Sequence, residues 1–292
     1  MAFPTETVYG LGADADQPDA VRRIFAVKGR PANHPLIVHL ASVDQFDEWG
    51  RDVSDDARAL AAACWPGPMT LLVAAADRVS PLVTGGRTTV GLRVPAHPVA
   101  LELLGAFGGG IAAPSANRFG RVSPTSAANV HADLGDDVDL VLDGGSSAIG
   151  VESTIVDCTV DPPQILRPGG IDAATIQAVL QRGHLGVTSG PSRASGMLAA
   201  HYAPRCQVVL ADSLHAAREL EISRSGPSNT HVEIMEYPAS VEAYARHLYQ
   251  WLRDADERRV DVLIAILPPP EGLGEAVRDR LTKAAAAAVD RP

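Results

Sequence analysis

Short apolar runs alternating with amphipathic stretches constrain this chain more than any other feature. AFPTET (2–7), PLIVHL (35–40), MTLLVAAA (69–76), TVGLRVPA (89–96), IAAPSAN (111–117), VDLVLDGG (138–145) and STIVDCTV (153–160) are short, often β-branched and bounded by Gly, Pro or Asp. Those are the marks of strands. Between them, PDAVRRIFAVKG (18–29), SDDARALAAACW (54–65), HPVALELLGAF (97–107) and SPTSAANVHADLG (123–135) begin at or near Asp, Ser, Pro or His. The first and third repeat apolar residues at i, i+3, i+4, and all four are read as helices. Strands and helices mixed at this range predict an α/β or α+β domain around a large sheet.

The pattern stops after about Leu180. QRGHLGVTSGPSRASGMLAAHYAPR (181–205) is rich in Gly, Ser, Pro and Arg, lacks a period and reads as a linker. A linker of this length is often functional. Beyond it, CQVVLAD, THVEIMEY and VDVLIAILPPP alternate as strands with the helices LHAARELEIS, SVEAYARHLYQWLRDAD and GEAVRDRLTKAAAAAVD. That order predicts a small parallel α/β domain. The expected division is therefore 1–182, a linker at 183–206, and 207–292.

Charge narrows the function. A net charge of -10 over 292 residues disfavours a chain whose main work is gripping nucleic acid. It leaves room for a local cationic pocket. Of the 25 basic residues only Lys28 and Lys283 are lysine, so Lys28 in AVKGRP stands out. No apolar run reaches the length of about 18 residues that a membrane span needs, and MAFPTETVYGLG lacks a signal-peptide layout. Three widely spaced cysteines argue against a disulfide framework, and a reducing cytoplasm is expected.

Several motifs are weak or absent. Gly10-Leu11-Gly12-Ala13-Asp14-Ala15 matches a dinucleotide fingerprint, but the next helix starts only near Pro18 and the acidic partner is missing. Glycines in a tight turn explain it better. There is no P-loop, no G-x-S-x-G, and no C-x-x-C or H-E-x-x-H spacing. Four polar clusters instead lie at strand ends, where sheet folds place ligands. They are Pro4-Thr5-Glu6-Thr7; Lys28-Gly29-Arg30-Pro31 with His34 and His39; Arg93 with Pro114-Ser115-Ala116-Asn117; and Glu152-Ser153-Thr154 with Arg167-Pro168-Gly169-Gly170. Together they supply cations, hydroxyls and an amide, which suit an anionic ligand with ribose and phosphates.

In this order, FPTETVYGLGADA, KGRP followed by HPLIVHL, WPGPMTLLV, GLRVPAHP, APSAN, DGG, GVESTIVD and LRPGG resemble the YrdC-type threonylcarbamoyl-AMP synthases. The likeness covers about residues 1–182. SGMLAAHYAPR and the C-terminal unit resemble the long form of that family, whose extra domain folds over the active site. The resemblance implies an open, twisted mixed sheet around a positive cavity. It implies a reaction of L-threonine, bicarbonate or CO2, and ATP with Mg2+, giving threonylcarbamoyl-AMP and pyrophosphate. A separate complex then passes the threonylcarbamoyl group to tRNA. The family's Lys-x-Arg and Ser-x-Asn fall on Lys28, Arg30, Ser115 and Asn117.

On this reading Lys28, Arg30 and Arg167 face the triphosphate, and Ser115 and Asn117 bond phosphates or sugar. Thr5, His39, Arg93 and Ser153 hold threonine, and His201 and Tyr202 reach back from the linker as a lid. Glu152 and Asp157 are at most indirect magnesium ligands, and no general base is required. The chain begins where that family has the middle of its first strand, which suggests a mis-assigned start or a truncation. Asn33-His34-Pro35 and Ser195-Gly196-Met197 also depart from the family pattern. Two other classes stay open here: a non-catalytic RNA- or ribosome-binding protein using the same cavity, and a nicotinamide-linked oxidoreductase.

Overall fold

A computed structural model describes residues 1–187, 193–194, 196–197, 201–225 and 230–287. Parts of the expected linker (188–192, 195 and 198–200) and the end of the last expected helix (288–290) lie outside the described residues. Strands β1 (Ala2–Phe3), β2 (Gly10–Leu11) and β3 (Ala13–Asp14) lead into helix α1 (Pro18–Lys28). Then follow β4 (Ile37–His39), α2 (Phe46–Trp49), β5 (Gly50–Arg51), α3 (Asp55–Cys64), β6 (Met69–Ala75), α4 (Pro81–Thr84) and β7 (Thr89–Arg93). The first part closes with α5 (Pro98–Phe107), β8 (Ile111–Ala112), α6 (Ala127–Leu134), β9 (Thr154–Asp157), β10 (Gln164–Arg167) and α7 (Ala173–Leu180).

The large sheet runs β10-β9-β6-β7-β4-β8-β3, with β5 added beside β6. It is mixed: β4/β7 and β6/β9 are parallel, the other pairs antiparallel. Side chains alternate between its faces. Val38, Leu71, Val73, Val90, Leu92 and Val156 join the main hydrophobic core with residues of α1, α3 and α7. The intervening residues, His39, Thr70 and Arg93 among them, project to the other face. His39 and Arg93 are register partners across β4 and β7. The alternation that buries the core therefore also delivers polar groups to one opposite face.

Several expected strands are shorter than their apolar runs. AFPTET is a strand only at Ala2–Phe3, because Pro4 has no N–H to continue a ladder. VDLVLDGG is not a strand; it meets its short neighbour at a single bridge, Ala2 to Val141. IAAPSAN stops at Ala112 for the same reason as AFPTET, with Pro114 two residues on. The tight turn expected at GLGADA is a close approach: a Cβ at Gly12 would meet Phe3 at 2.8 Å and Ile111 at 2.9 Å.

The second part contains β11 (Gln207–Ala211), α8 (Leu214–Arg224), β12 (Val232–Ile234), α9 (Val241–Glu257), β13 (Val262–Ile266) and α10 (Leu273–Ala286). Its three strands form a parallel sheet in the order β11-β13-β12, as expected. Val262, Ile264 and Ile266 pack with Ala217 of α8, while Leu263 and Ala265 face α9 and α10. Helix α9 starts at Ser240, whose hydroxyl accepts from the Ala243 N–H. It buries Tyr244, Ala245, Leu248, Tyr249, Leu252 and Ala255 along one face. Val8, Val122 and Val151 of the large part belong to the same apolar cluster, so the two parts share a core. The charged partners Arg253–Asp133 (2.6 Å) and Arg121–Asp256 (3.1 Å) flank that contact. Among the described residues no helix is long and apolar enough to cross a membrane.

Gly150 sits against the backbone of α9, where the two parts meet. Its φ of 84° is left-handed, and a Cβ there would lie 2.5 Å from Ala245 O and from Arg246 Cα. Gly150→Ala should cost about 2 kcal/mol or more. Chemical denaturation would show it, together with faster proteolysis between the two parts. An unchanged midpoint and unchanged proteolysis would contradict this packing.

Candidate active site

Four turns converge on the polar face of the large sheet. The first follows β1. There the Thr5 hydroxyl donates to Val8 O (2.6 Å) and accepts from the N–H groups of Thr7 and Val8 (both 3.2 Å). The side chain folds the turn, as short hydroxyls do. The neighbouring Glu6 carboxylate receives Arg93 Nη2 at 2.7 Å and the Ala96 N–H at 3.1 Å. Arg93 also donates to the Thr7 hydroxyl (2.9 Å) and to Gly67 O (3.2 Å). Arg93 and Glu6 are thus a buried, hydrogen-bonded ion pair. Arg93's charge is matched within the protein.

The second turn ends α1. Gly29 closes the helix in the left-handed region (φ 63°), and Lys28 is buried just before it. Its ammonium donates to Ser115 O (2.6 Å), Asn117 O (2.5 Å) and Asn117 Oδ1 (3.3 Å). Burial, reinforced by Arg30, lowers the Lys28 pKa well below the ordinary lysine value. The third turn, 115–117, is therefore tied to α1. Asn117 also accepts from the Ser115 hydroxyl (2.5 Å) and donates to the carbonyls of Arg118 (2.9 Å) and Arg121 (2.7 Å). Every polar atom of the Asn117 side chain is occupied. The fourth turn joins β9 to the sheet edge. The Ser153 hydroxyl bonds Thr70 (2.8 Å), and Arg167 donates to Ser153 O (2.8 Å) and Ser153 Oγ (3.1 Å).

These turns enclose a cavity of about 50 Å³. Thr5, Arg30, His39, Arg93, Ser115, Ser153, Arg167, His201 and Tyr202 all line it. The structure brings these nine expected site residues together from a stretch of nearly two hundred. Lys28 and Asn117 do not line it; they hold the turn that presents Ser115. Asp157 lies elsewhere, bonded to Arg193 (2.5 Å) and Thr159 (2.6 Å).

Electrostatics favour anions here. Arg30 donates to Pro35 O (3.0 Å) and lies over the Phe119 ring. Burial brings its pKa down to about 10, with Arg167 adding to the effect, so it remains charged at neutral pH. The lining has one carboxylate among the described residues, Glu152. Burial raises its pKa, but Arg280 and Arg167 outweigh that and hold it at about 2. Its oxygens accept from Ser123 (2.6 Å), Tyr249 (2.7 Å) and Arg280 (2.8 Å). Three of this carboxylate's acceptor positions are taken, which leaves at most one on Oε1 for a cation, and no group of three His, Cys, Asp or Glu among the described residues could hold a metal. The lining therefore does not fit a protein-held Mg2+.

His201 and Tyr202 form the roof. Their rings meet at 4.2 Å, and Tyr202 stacks on Tyr249 (5.7 Å) beneath the Arg280 guanidinium (5.1 Å). Tyr202 holds a φ of 61°, uncommon for a bulky side chain. Lys283 donates to Gly196 O (2.7 Å), tying the preceding segment to α10. The roof is thus clamped by the C-terminal part. Glu6 and Thr7 stand in the first polar cluster of the sequence without an assigned role, and the sequence carries no sign of Tyr249 or Arg280. Glu6 was legible in its cluster; Tyr249 and Arg280 are helix-face residues whose convergence on Glu152 depends on how the two parts pack.

Comparisons with known proteins follow this geometry. Residues 1–169 match the Sua5/YciO/YrdC family model, described as "Telomere recombination". Residues 171–286 match a model described as the C-terminal domain of threonylcarbamoyl-AMP synthase. The chain is 40% identical to the threonylcarbamoyl-AMP synthase of Pyrococcus abyssi, covering 97% of this chain and 89% of that one. It is also 40% identical to that of Bacillus subtilis, covering 100% and 90%. The crystal structure of P. abyssi Sua5 complexed with L-threonine superposes with a TM-score of 0.93 at 40% identity, over 98% of this chain and 90% of the other.

The two cavity histidines give a pH test. Burial, with Arg93 beside it, holds His39 at about 3, and burial likewise holds His201 at about 3. Unfolded imidazoles titrate near 6.5. Between these values the unfolded chain binds more protons, so stability falls as pH drops below 6.5. Each histidine should contribute a slope of about 1 kcal/mol per pH unit between pH 6 and 5. Denaturation midpoints across that range should show the slope, and His39→Gln should flatten it. A slope unchanged in His39→Gln would contradict a neutral, buried His39.

Proposed function

The chain belongs to the Sua5/YciO/YrdC family and carries the threonylcarbamoyl-AMP synthase C-terminal domain, and from that premise we propose that it converts L-threonine, bicarbonate or CO2, and ATP into L-threonylcarbamoyl-AMP and pyrophosphate. The observation carrying this reading is the convergence of Arg30 and Arg167 with Ser115, Ser153, Thr5 and His39 in one buried cavity. The threonine amine attacks CO2, a C=O π bond opening as the N–C bond forms, and its proton passes to water, or to the hydroxide released when bicarbonate supplies the CO2, leaving a carbamate. A carbamate oxygen then attacks the α-phosphorus of ATP, and the bond to the leaving pyrophosphate breaks. AMP is transferred, which makes the enzyme a nucleotidyltransferase.

Negative charge gathers on the phosphates throughout. Fixed cations in a water-poor cavity stabilise that charge without reorganising. Arg30 and Arg167 take this role in the proposal. Lys28 and Asn117 act one step back, by fixing the turn that presents Ser115 to the nucleotide. Thr5, His39 and Ser153 surround threonine, while Arg93 sets the Thr5–Thr7 turn through Glu6 and Thr7. The side chains need transfer no proton, so positioning supplies most of the acceleration. Mg2+ enters with ATP, on phosphate oxygens, and no step is assigned to a protein-held ion.

Ligand sites of nucleotide size usually enclose about 300 Å³ or more. The cavity of about 50 Å³ is smaller than that, and in this proposal His201 and Tyr202 move aside to admit ATP. The product is a reactive mixed anhydride, which such a roof protects from water. Its consumer in this proposal is a separate threonylcarbamoyl transfer complex acting on tRNA in the cytoplasm. The net charge of -10 supports that division of labour, because it suits small anions in a pocket better than tRNA on a surface.

Purified protein should release pyrophosphate only when threonine, bicarbonate and ATP are all present. A rate that survives omission of threonine would overturn the assignment. RNA binding with a steep salt dependence and no turnover would favour a non-catalytic role in its place.

A further inference from the structure

We infer that Arg280, on α10 of the C-terminal part, is a positioning residue for ATP: by neutralising Glu152 across the contact between the two parts, it removes a negative charge that would oppose the phosphates in the cavity. The inference rests on the proposed reading of the cavity as an ATP site.

Arg280 is completely buried and does not line the cavity. Its Nε donates to Glu152 Oε2 at 2.8 Å, and its Nη1 to Asp279 at 2.6 Å. Glu152 is the cavity's carboxylate and directly precedes Ser153. Arg167 is held on the carbonyl and hydroxyl of that same Ser153. One anion and one ligand-facing cation therefore stand side by side. Left unneutralised, Glu152 would repel a triphosphate and draw Arg167 toward itself. Arg167 is the second cation, after Arg280, that acts on its charge.

Two neutral donors, Ser123 and Tyr249, also bond Glu152, but neither brings a charge. Among the described residues, the cation that reaches Glu152 from outside the cavity comes from α10. The same guanidinium lies 5.1 Å from the Tyr202 ring, so the group that balances the floor also supports the roof. The C-terminal part thereby contributes charge as well as cover.

The test is a charge-compensation pair in the full chain. A neighbouring charge at this range changes the affinity for a charged group by about tenfold or more. Arg280→Gln should raise KM for ATP by about that factor, with a smaller change in kcat. Adding Glu152→Gln should bring KM for ATP back to within about threefold of wild type, because the unbalanced anion is gone. A merely structural role predicts a second loss instead of recovery. Circular dichroism and thermal melting report whether each variant folds. Should Arg280→Gln fail to fold, Glu152→Gln alone decides: KM for ATP should hold or fall, and a tenfold rise overturns the inference. With wild-type turnover intact, an unchanged KM in Arg280→Gln, or a double variant no better than the single one, overturns the inference and leaves the proposed reaction standing. Wild type lacking threonine-dependent pyrophosphate release would instead remove the reading beneath it.

Discussion

Burying cations is the constraint around which this molecule is arranged. Lys28, Arg30, Arg93, Arg167 and Arg280 are all buried within one region. Moving such a charge out of water costs several kcal/mol per ion unless partners replace the water. Each one has partners of a particular kind. Lys28 and Arg167 take backbone carbonyls and serine or asparagine oxygens, Arg93 takes Glu6, and Arg280 takes Glu152 and Asp279. Hydrogen bonds to charged groups contribute about 1.5–3 kcal/mol each. The turns that offer those oxygens are therefore fixed by the cations they hold. The 115–117 turn exists in this form because Lys28 sits beneath it.

The arrangement separates two kinds of basic residue. Arg93 and Arg280 are matched by carboxylates and serve the framework. Arg30 and Arg167 line the cavity, and their described bonds include the Pro35 carbonyl for Arg30 and the Ser153 carbonyl and hydroxyl for Arg167. Arginines fixed this way can stabilise anionic charge with little rearrangement of their own. It also explains how a chain of net charge -10 can hold a cationic site: the acidic excess lies elsewhere, and burial keeps the local field from being screened.

Much of this was legible in the sequence, and the limits have physical causes. The short, β-branched runs PLIVHL and TVGLRVPA placed His39 and Arg93 on strands β4 and β7, and the sheet made them register partners. Ser54 and Ser240 marked helix starts through their capping hydroxyls, whereas the helix expected from Ser123 is capped by Ser126 and the one expected from Leu214 is capped by Ser213 just before it. Strand lengths were overestimated where a proline follows closely, as at Pro4 and Pro114, because apolar character outlasts the supply of N–H donors. Lys28 stood out by composition, yet whether it faces a ligand or a backbone turn depends on the path of residues 115–117. Arg280 and Tyr249 gave no local signal. Their meaning arises from the packing of α9 and α10 against Glu152, more than ninety residues away in the chain.

The most direct test of the account is a calorimetric titration of ATP into the full chain in the presence of threonine. One molecule of ATP should bind, and Arg30→Ala and Arg167→Ala should each weaken it by about tenfold or more, since each removes one buried cation that lines the cavity. ATP binding that is unaffected by both substitutions would contradict the claim that these two arginines form the anion site.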